Sequence, residues 1–415
     1  MKKIKIGVFG AGRGVDLAKN YVTLGCEIVA LCDFRETRVE EGIKKLGFSV
    51  PTFTDFDEFL KMEMDAVIIA NYFHEHAPYT IKCFEKGIHV FCECISNGTM
   101  AEGVKLFEAF KNTKSIYMLA ENYPQMLFNR EIKRICDNGS LGKIMYAEGE
   151  YNHPGDPFDT GFMHEYNYFA NHWRNYLPTT YYITHSLGPI MWQTGATPKK
   201  VTAFSIFAPY VGDFPSAKQN GDRTSIITTY NDDGSVFRVT GCAAFGGHHN
   251  SYRVCGTEGQ IENLRGMDDK VMLHYNSWNK PADMDEYNLY KPSWNDKDEE
   301  MILKSGHGGA DYLTCRMFLE CVLNNIQPPH PFNLESAINM SSVAILAHRS
   351  ALLGGEVFDI PNFNNIEDCK LYENDYLSPF LGSDGSKPTI ACCSNSEYKL
   401  DLKQLEYYNK LLNNK

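Results

Sequence analysis

The chain has 415 residues, 43% hydrophobic and 13% aromatic, with 40 Lys and Arg against 52 Asp and Glu for a formal net charge of −12. That length exceeds one ordinary core, so more than one domain is expected, while no apolar run approaches the roughly 20 residues that span a bilayer. The acidic balance argues against nucleic acid as a partner, and thirteen cysteines without a framework spacing suit free thiols in the reducing cytoplasm. Cys92 with Cys94, and the adjacent Cys392 and Cys393, lack a second pair at zinc-binding spacing, so no metal site is expected.

The first residues, Met1 to Val8, carry the charge of a secretory leader, but glycines and an arginine follow before any long apolar stretch, and the segment reads as a strand. The apolar run 4–9 enters the cluster Gly10-Ala11-Gly12-Arg13-Gly14, and an amphipathic stretch follows from Val15 to Leu24: strand, tight turn, helix. Further apolar runs lie at 27–32, ending at Asp33, and at 66–70, 88–92 and 115–120, with helical patterns at 37–46 and 75–86. Near-continuous apolar strands alternating with helices predict an α/β Rossmann domain with a parallel sheet over 1–122.

Beyond it the rhythm changes. A helix is expected around 126–137, then strands at 143–151, 200–207, 225–230, 235–242, 252–255, 260–264 and 270–275, some joined by hairpin signals such as Asn231-Asp232-Asp233-Gly234. Successive strands without helices between them predict an α+β domain over 123–363 with a mostly antiparallel, open-faced sheet, its other face covered by helices at 309–325 and 334–353. The polar stretch 276–306, with its charge run Asp296 to Glu300, reads as a solvated loop. Residues 364–415 read as a C-terminal extension with a helix at 400–412.

The glycine cluster is a candidate phosphate cradle: Gly10 and Gly12 allow close backbone approach, Arg13 and Gly14 complete the turn, and a helix N-terminus follows. The third glycine of the dinucleotide fingerprint falls on Val15. Asp33, 21 residues after Gly12 at the end of the next strand, is placed to accept both ribose hydroxyls and to repel a 2′-phosphate, which favours NAD over NADP, although Arg35 keeps NADP open. Glu93 ends another strand, where ligands of such sheets collect, and is expected to contact the cofactor.

The order of these elements resembles the Gfo/Idh/MocA oxidoreductases. The segments that carry the likeness are the glycine turn, Asp65 to Ala70 with His74 and His76 beyond, and Lys86-Gly87-Ile88-His89-Val90-Phe91-Cys92-Glu93. In that family the last segment runs on as Glu-Lys-Pro, whose lysine helps move the substrate's hydroxyl proton; here it reads Glu93-Cys94-Ile95. A subgroup that also lacks the lysine, the NAD-dependent glycosidases typified by α-N-acetylgalactosaminidase, is similar in four blocks: Glu121-Asn122, Ala147 to His153, Tyr182 to Pro189, and Gly306 to Tyr312. Ser186 stands where that subgroup usually has glycine.

The resemblance implies NAD as cofactor, with Asn71, His76 and Glu121 joining the glycine loop, Asp33 and Glu93 around it. It implies hydride transfer at a sugar carbon, usually C3, as an oxidoreductase. The alternative is a glycosidase that oxidises transiently, eliminates the glycosidic oxygen, adds water and returns the hydride. Either route needs acids and bases rather than the paired carboxylates of ordinary glycosidases. Tyr151 and His185 are the leading candidates, followed by Tyr182 and His307, with His153 and Asp311 near the substrate; Tyr182 and His185 are three residues apart, so one helical turn or a tight loop would bring both toward one site. A third reading, a non-catalytic nucleotide-binding sugar sensor, draws on Cys94 at the lysine position. A small carbohydrate or glycoside is the expected ligand, and a homodimer or homotetramer the expected assembly, because an open sheet face leaves an apolar patch to cover.

Overall fold

A computed structural model of the chain describes residues 3–154, 169, 171–212, 215–382 and 385–413. Its first sheet is parallel, with strands β1 (Lys5–Phe9), β2 (Glu27–Cys32), β3 (Thr52–Phe53), β4 (Ala66–Ile69), β5 (His89–Cys92) and β6 (Tyr117–Leu119) in the order β3-β2-β1-β4-β5-β6. Helices α1 (Arg13–Thr23), α2 (Glu36–Leu46), α3 (Phe56–Phe59), α4 (His76–Glu85) and α5 (Met100–Lys111) connect them. All four side chains of β4 are buried, as a strand covered on both faces requires. The order reverses between β1 and β4, so the crevice beyond their carboxyl ends is the place for a ligand in such a sheet.

The second sheet has nine strands. They are β7 (Ile144–Asn152), β8 (Pro198–Phe207), β9 (Asp222–Asn231), β10 (Val236–Ala243), β11 (His249–Gly256), β12 (Gly259–Leu264), β13 (Met267–Tyr275), β14 (Tyr287–Tyr290) and β15 (Phe358–Asp359), in the order β14-β13-β12-β11-β7-β10-β9-β8-β15. Among the described residues only β7 and β10 run parallel as paired neighbours in this sheet. One face is covered by α6 (Leu127–Asp137), α7 (Thr184–Thr194) and α10 (Leu334–Leu352). The other is crossed by charge pairs: Glu148 meets Arg253 at 2.7 Å and Arg238 at 3.2 Å, and Glu150 meets Arg265 at 2.5 Å. A single apolar cluster runs from Phe9 and Val67 in the first sheet through Tyr123 to Ile227 and Val254 in the second, so the two halves share one interior. No helix among the described residues is long and apolar enough to cross a membrane.

Two expectations change. The stretch 276–306 is not all solvated loop: β14 pairs with β13, α8 (Glu299–Lys304) follows, and Arg316 of α9 (Ala310–Asn324) gathers Asp296 and Asp298 at 2.6 Å each. An arginine with two carboxylates organises a charge run that periodicity alone leaves unassigned. The missing third glycine has a substitute too. A Cβ on Gly14 would lie 2.9 Å from Val8 Cγ1 and 3.4 Å from Ala70 Cβ, so Gly14 provides the close helix-to-strand packing and Val15 is simply core. The extension contains α11 (Ile366–Tyr372) and α12 (Leu402–Asn413).

Gly149 fixes the distance between β7 and α7, because a Cβ there would sit 1.9 Å from the carbonyl oxygen of Ser186. Backbone on both sides leaves nothing flexible to yield. Gly149→Ala is therefore expected to lower stability by about 3 kcal/mol, measured by urea denaturation, or else to displace the start of α7 and abolish activity.

Candidate active site

Five of the six parallel strands deliver candidate site residues to the same end of the first sheet: Gly10 and Gly12 follow β1, and the polar Asp33, Asn71, Glu93 and Glu121 follow β2, β4, β5 and β6. Gly10 has φ +99°, and a Cβ on it would lie 2.1 Å from the Ala70 carbonyl oxygen, so no other residue fits. Gly12 precedes α1 and has nothing within 4 Å of its would-be Cβ. Its bare backbone leaves a cradle open in front of a helix N-terminus. Asp33 is fixed by two backbone donors, Ala11 N–H at 3.0 Å and Arg35 N–H at 3.1 Å. Both amide atoms of Asn71 and Nε2 of His76 are buried without a protein partner, whereas His76 Nδ1 lies 2.7 Å from the Ile95 carbonyl oxygen. An open cradle, an anchored carboxylate and an orphaned amide fit a dinucleotide.

Arg13, at the start of α1, is held between two carboxylates. Its Nε donates to Glu93 at 2.9 Å, and its two terminal nitrogens donate to Asp311 at 2.7 Å each. Asp311, 3% exposed at its side chain, also accepts from Asn122 Nδ2 at 2.7 Å and meets His307 Nδ1 at 3.0 Å. Burial alone would raise its carboxyl, but Arg13 and His307 hold it far below the usual carboxylate range. Expected beside the substrate, Asp311 has its oxygens occupied by protein donors.

Glu121 is fully buried, and a carboxylate there is costly unless it is paired. His185 Nδ1 lies 2.9 Å and 3.0 Å from its two oxygens, the Tyr123 N–H donates at 3.1 Å, and the Cys94 thiol donates at 3.3 Å. Burial pushes Glu121 upward, yet His185, Thr184 and Cys94 hold it below its ordinary value. An ionised carboxylate only accepts, so His185 Nδ1–H is the donor and Nε2 is the nitrogen left for chemistry. Glu121, a candidate cofactor contact, has both oxygens within hydrogen-bond distance of the imidazole. Cys94 cannot supply a lysine's positive charge, because a thiol is at most neutral, and burial with the neighbouring Glu121 and Glu93 keeps it in that neutral form.

The remaining candidates converge on this imidazole. Tyr182, in a short 3₁₀ turn (Thr179–Tyr182), and Tyr151, near the end of β7, approach it edge-on at 5.2 Å and 5.0 Å between ring centroids. Burial raises the phenols of both well above the usual range, most of all Tyr151, where Tyr182 and Tyr123 add to it. His153 lies 5.6 Å from Tyr151 and 4.5 Å from His248, whose loop is tied to β7 by Asn152 Nδ2, 2.7 Å from the Gly247 carbonyl oxygen. His307 stands apart from His185, with Tyr123 between them: 4.2 Å from His185, stacked on it at 22° between planes, and 6.1 Å from His307.

Tyr123 and Tyr252 were not expected. Tyr123 is 6% exposed at the centre of the cluster, and its signal lay one residue past the Glu121-Asn122 block. Tyr252, fully buried in β11, donates from its hydroxyl to the His185 carbonyl oxygen at 2.5 Å and holds the first turn of α7. No local pattern marks it, since the contact joins residues 67 positions apart.

Comparison with known proteins places this geometry. The description "Oxidoreductase family, NAD-binding Rossmann fold" matches residues 4–121, "GFO/IDH/MocA C-terminal domain" matches 129–262, and "Glycosyl hydrolase 109, C-terminal domain" matches 216–367. A glycosyl hydrolase family 109 protein of Stenotrophomonas maltophilia is 23% identical, over 87% of this chain and 89% of its own. Glycosyl hydrolase family 109 protein 1 of Bacteroides thetaiotaomicron is also 23% identical, over 88% and 85%. Among solved structures, levoglucosan dehydrogenase in complex with NADH and levoglucosan superposes with a TM-score of 0.71 at 17% identity, over 87% of this chain and all of that one. Myo-inositol 2-dehydrogenase from Lactobacillus plantarum gives 0.64 at 22%, with the same coverage. The chain therefore belongs to the Gfo/Idh/MocA oxidoreductase family, as an NAD-dependent enzyme whose C-terminal half is of the glycosyl hydrolase 109 type.

Proposed function

We propose that this enzyme acts on a carbohydrate at C3 and that its net reaction is the hydrolysis of a glycoside. The observation that carries the reading is the buried Glu121–His185 pair set against Tyr151 and Tyr182; the glycosyl hydrolase 109 names of the relatives support it. Bound NAD supplies the acceptor and donor of a hydride. Gly10, Gly12, Gly14 and Asp33 hold that cofactor, with Asn71, His76 and Glu93 lining it.

His185 Nε2 takes the proton of the reacting hydroxyl or of the neighbouring carbon, while Glu121 fixes the ring and stabilises its charge. Tyr151, 5.0 Å from the same imidazole between ring centroids, is the group placed to protonate the leaving oxygen. Tyr182 approaches the same imidazole edge-on and shares in the proton transfers. His307, 42% exposed at its side chain, exchanges protons with solvent, while Asp311 and Arg13 orient it without touching substrate. His153 and His248 border the sugar. An assembled acid–base set of this kind has no use in a sensor.

The division into 1–122, 123–363 and 364–415 serves this reading, with cofactor on the first part and substrate on the second. The uncovered sheet face, where Phe204 and Tyr230 are exposed, supports pairing of subunits into a homodimer or homotetramer, and the many thiols support a cytoplasmic location.

Incubation with a panel of aryl glycosides and catalytic NAD should release product far in excess of enzyme without net NADH absorbance. Stoichiometric NADH would establish a plain dehydrogenase instead.

His185→Ala and Tyr151→Phe should each lose about 10²–10⁴ in rate while still binding NAD. Cys94→Ser should stay within about a few-fold of the parent, because a hydroxyl can donate to Glu121 as the thiol does. The reverse pattern in steady-state assays would overturn the assignment.

Calorimetry should give tighter binding of NAD than of NADP, with Asp33→Ala weakening NAD and narrowing the difference. Equal affinities in the parent would remove Asp33 from that role.

A further inference from the structure

Residues 364–415 contribute no group to the chemistry above, yet they touch two of the segments that build it. Phe380, 2% exposed, lies flat on the imidazole of His74, with 4.4 Å between centroids and 18° between planes, and meets Tyr181 at 5.3 Å, nearly perpendicular. His74 belongs to the loop between β4 and α4. Its neighbour Phe73 stacks on Trp173 at 5.2 Å and lies 5.8 Å from the ring of Tyr182. The same loop begins at Asn71, with its orphaned amide. One loop thus carries a cofactor candidate, a contact to an acid–base candidate and a contact to the extension.

The loop is held from two directions. A Cβ on Gly98 would lie 2.5 Å from the His74 carbonyl oxygen, so the segment before α5 already abuts it and leaves little room for movement that way. Phe380 packs on the imidazole itself. Burial pushes that imidazole down to about 4, so near neutral pH the stack is between two uncharged rings. Phe380 is also anchored. Arg349 of α10 grips Asp375 through two bonds of 2.5 Å and 2.7 Å, and the Asp375 carbonyl oxygen accepts the Ala101 N–H at 3.0 Å. Beyond it, His348 Nε2 lies 2.7 Å from the Ala391 carbonyl oxygen. A wedge fixed at both flanks can hold a loop in place.

We propose that Phe380 is a positioning residue of the NAD site, fixing the loop of residues 71–75 and Tyr181, and through them the Asn71 amide and the Tyr182 phenol. The proposal rests on the reading of this cleft as an NAD-dependent carbohydrate site.

The test compares full-length parent, Phe380→Ala, Phe380→Leu and Phe380→Tyr by NAD calorimetry, thermal melting and turnover. Leucine keeps apolar volume but loses the flat ring; tyrosine keeps the ring. Both Phe380→Ala and Phe380→Leu should bind NAD about fivefold more weakly or worse well below their melting temperatures, and Phe380→Tyr should bind as the parent does. Gln404→Ala, which removes the distant contact of α12 with the Tyr210 and Gly212 carbonyls, should lower the melting temperature without changing NAD affinity. Should Phe380→Ala fail to fold, the leucine and tyrosine variants decide. A lowered melting temperature with unchanged NAD affinity in Phe380→Leu would reduce Phe380 to a purely structural role and overturn the proposal. A parent that binds NAD but cleaves no glycoside would sink the hydrolase reading while leaving this comparison intact; a parent that binds no NAD would overturn both.

Discussion

A carboxylate with no exposure to water, kept ionised by an imidazole, is the constraint around which the site is arranged. Removing such a charge from water carries a penalty of several kcal/mol that only close partners offset, and Glu121 has His185, the Tyr123 N–H and the Cys94 thiol. Each partner is thereby fixed in turn. His185 must present Nδ1 inward, Tyr123 must turn its N–H back two residues onto Glu121, and α7 must start where its first turn can reach. The Tyr252 hydroxyl on the His185 carbonyl and the absent side chain of Gly149 beneath Ser186 satisfy that last condition.

A second ionic network joins parts of the chain distant in sequence. Arg13 in the glycine loop holds Asp311 nearly 300 residues away, and Asp311 in turn receives Asn122 and His307. A bidentate guanidinium–carboxylate pair is directional as well as strong, so it sets the position of α9 against α1, and with it the reach of His307. The arginine that the glycine motif places beside a phosphate is engaged in this clamp.

Both pairs lie at the carboxyl ends of the parallel strands, where strand order reverses and the second sheet's helices close the opposite wall. Tyr123 stands between the two imidazoles, one of them buried with its carboxylate and the other reaching solvent. Such an arrangement separates a proton-handling group in a dry pocket from one that can exchange with water. The extension adds a third wall through Phe380, without chemistry of its own.

The parallel sheet was legible because β1, β2, β4 and β5 are short apolar runs punctuated by glycine or a carboxylate, and such runs belong in a sheet covered on both faces. Asp33 and the glycine turn were legible for the same local reason. Four candidate acid–base residues came from short blocks and lie around one another or around Tyr123. What the sequence could not determine is which polar atoms occupy which. Glu121 and Asp311 were singled out by the blocks they sit in, but that His185 and Arg13 are the partners of their oxygens is visible only once folding brings those residues near. Gly14 replacing the third glycine, Arg316 organising the run at 296–300, Tyr252 under α7 and Phe380 on His74 were undetermined for that reason too. Each depends on a contact across many residues, and periodicity and spacing carry information only along the chain.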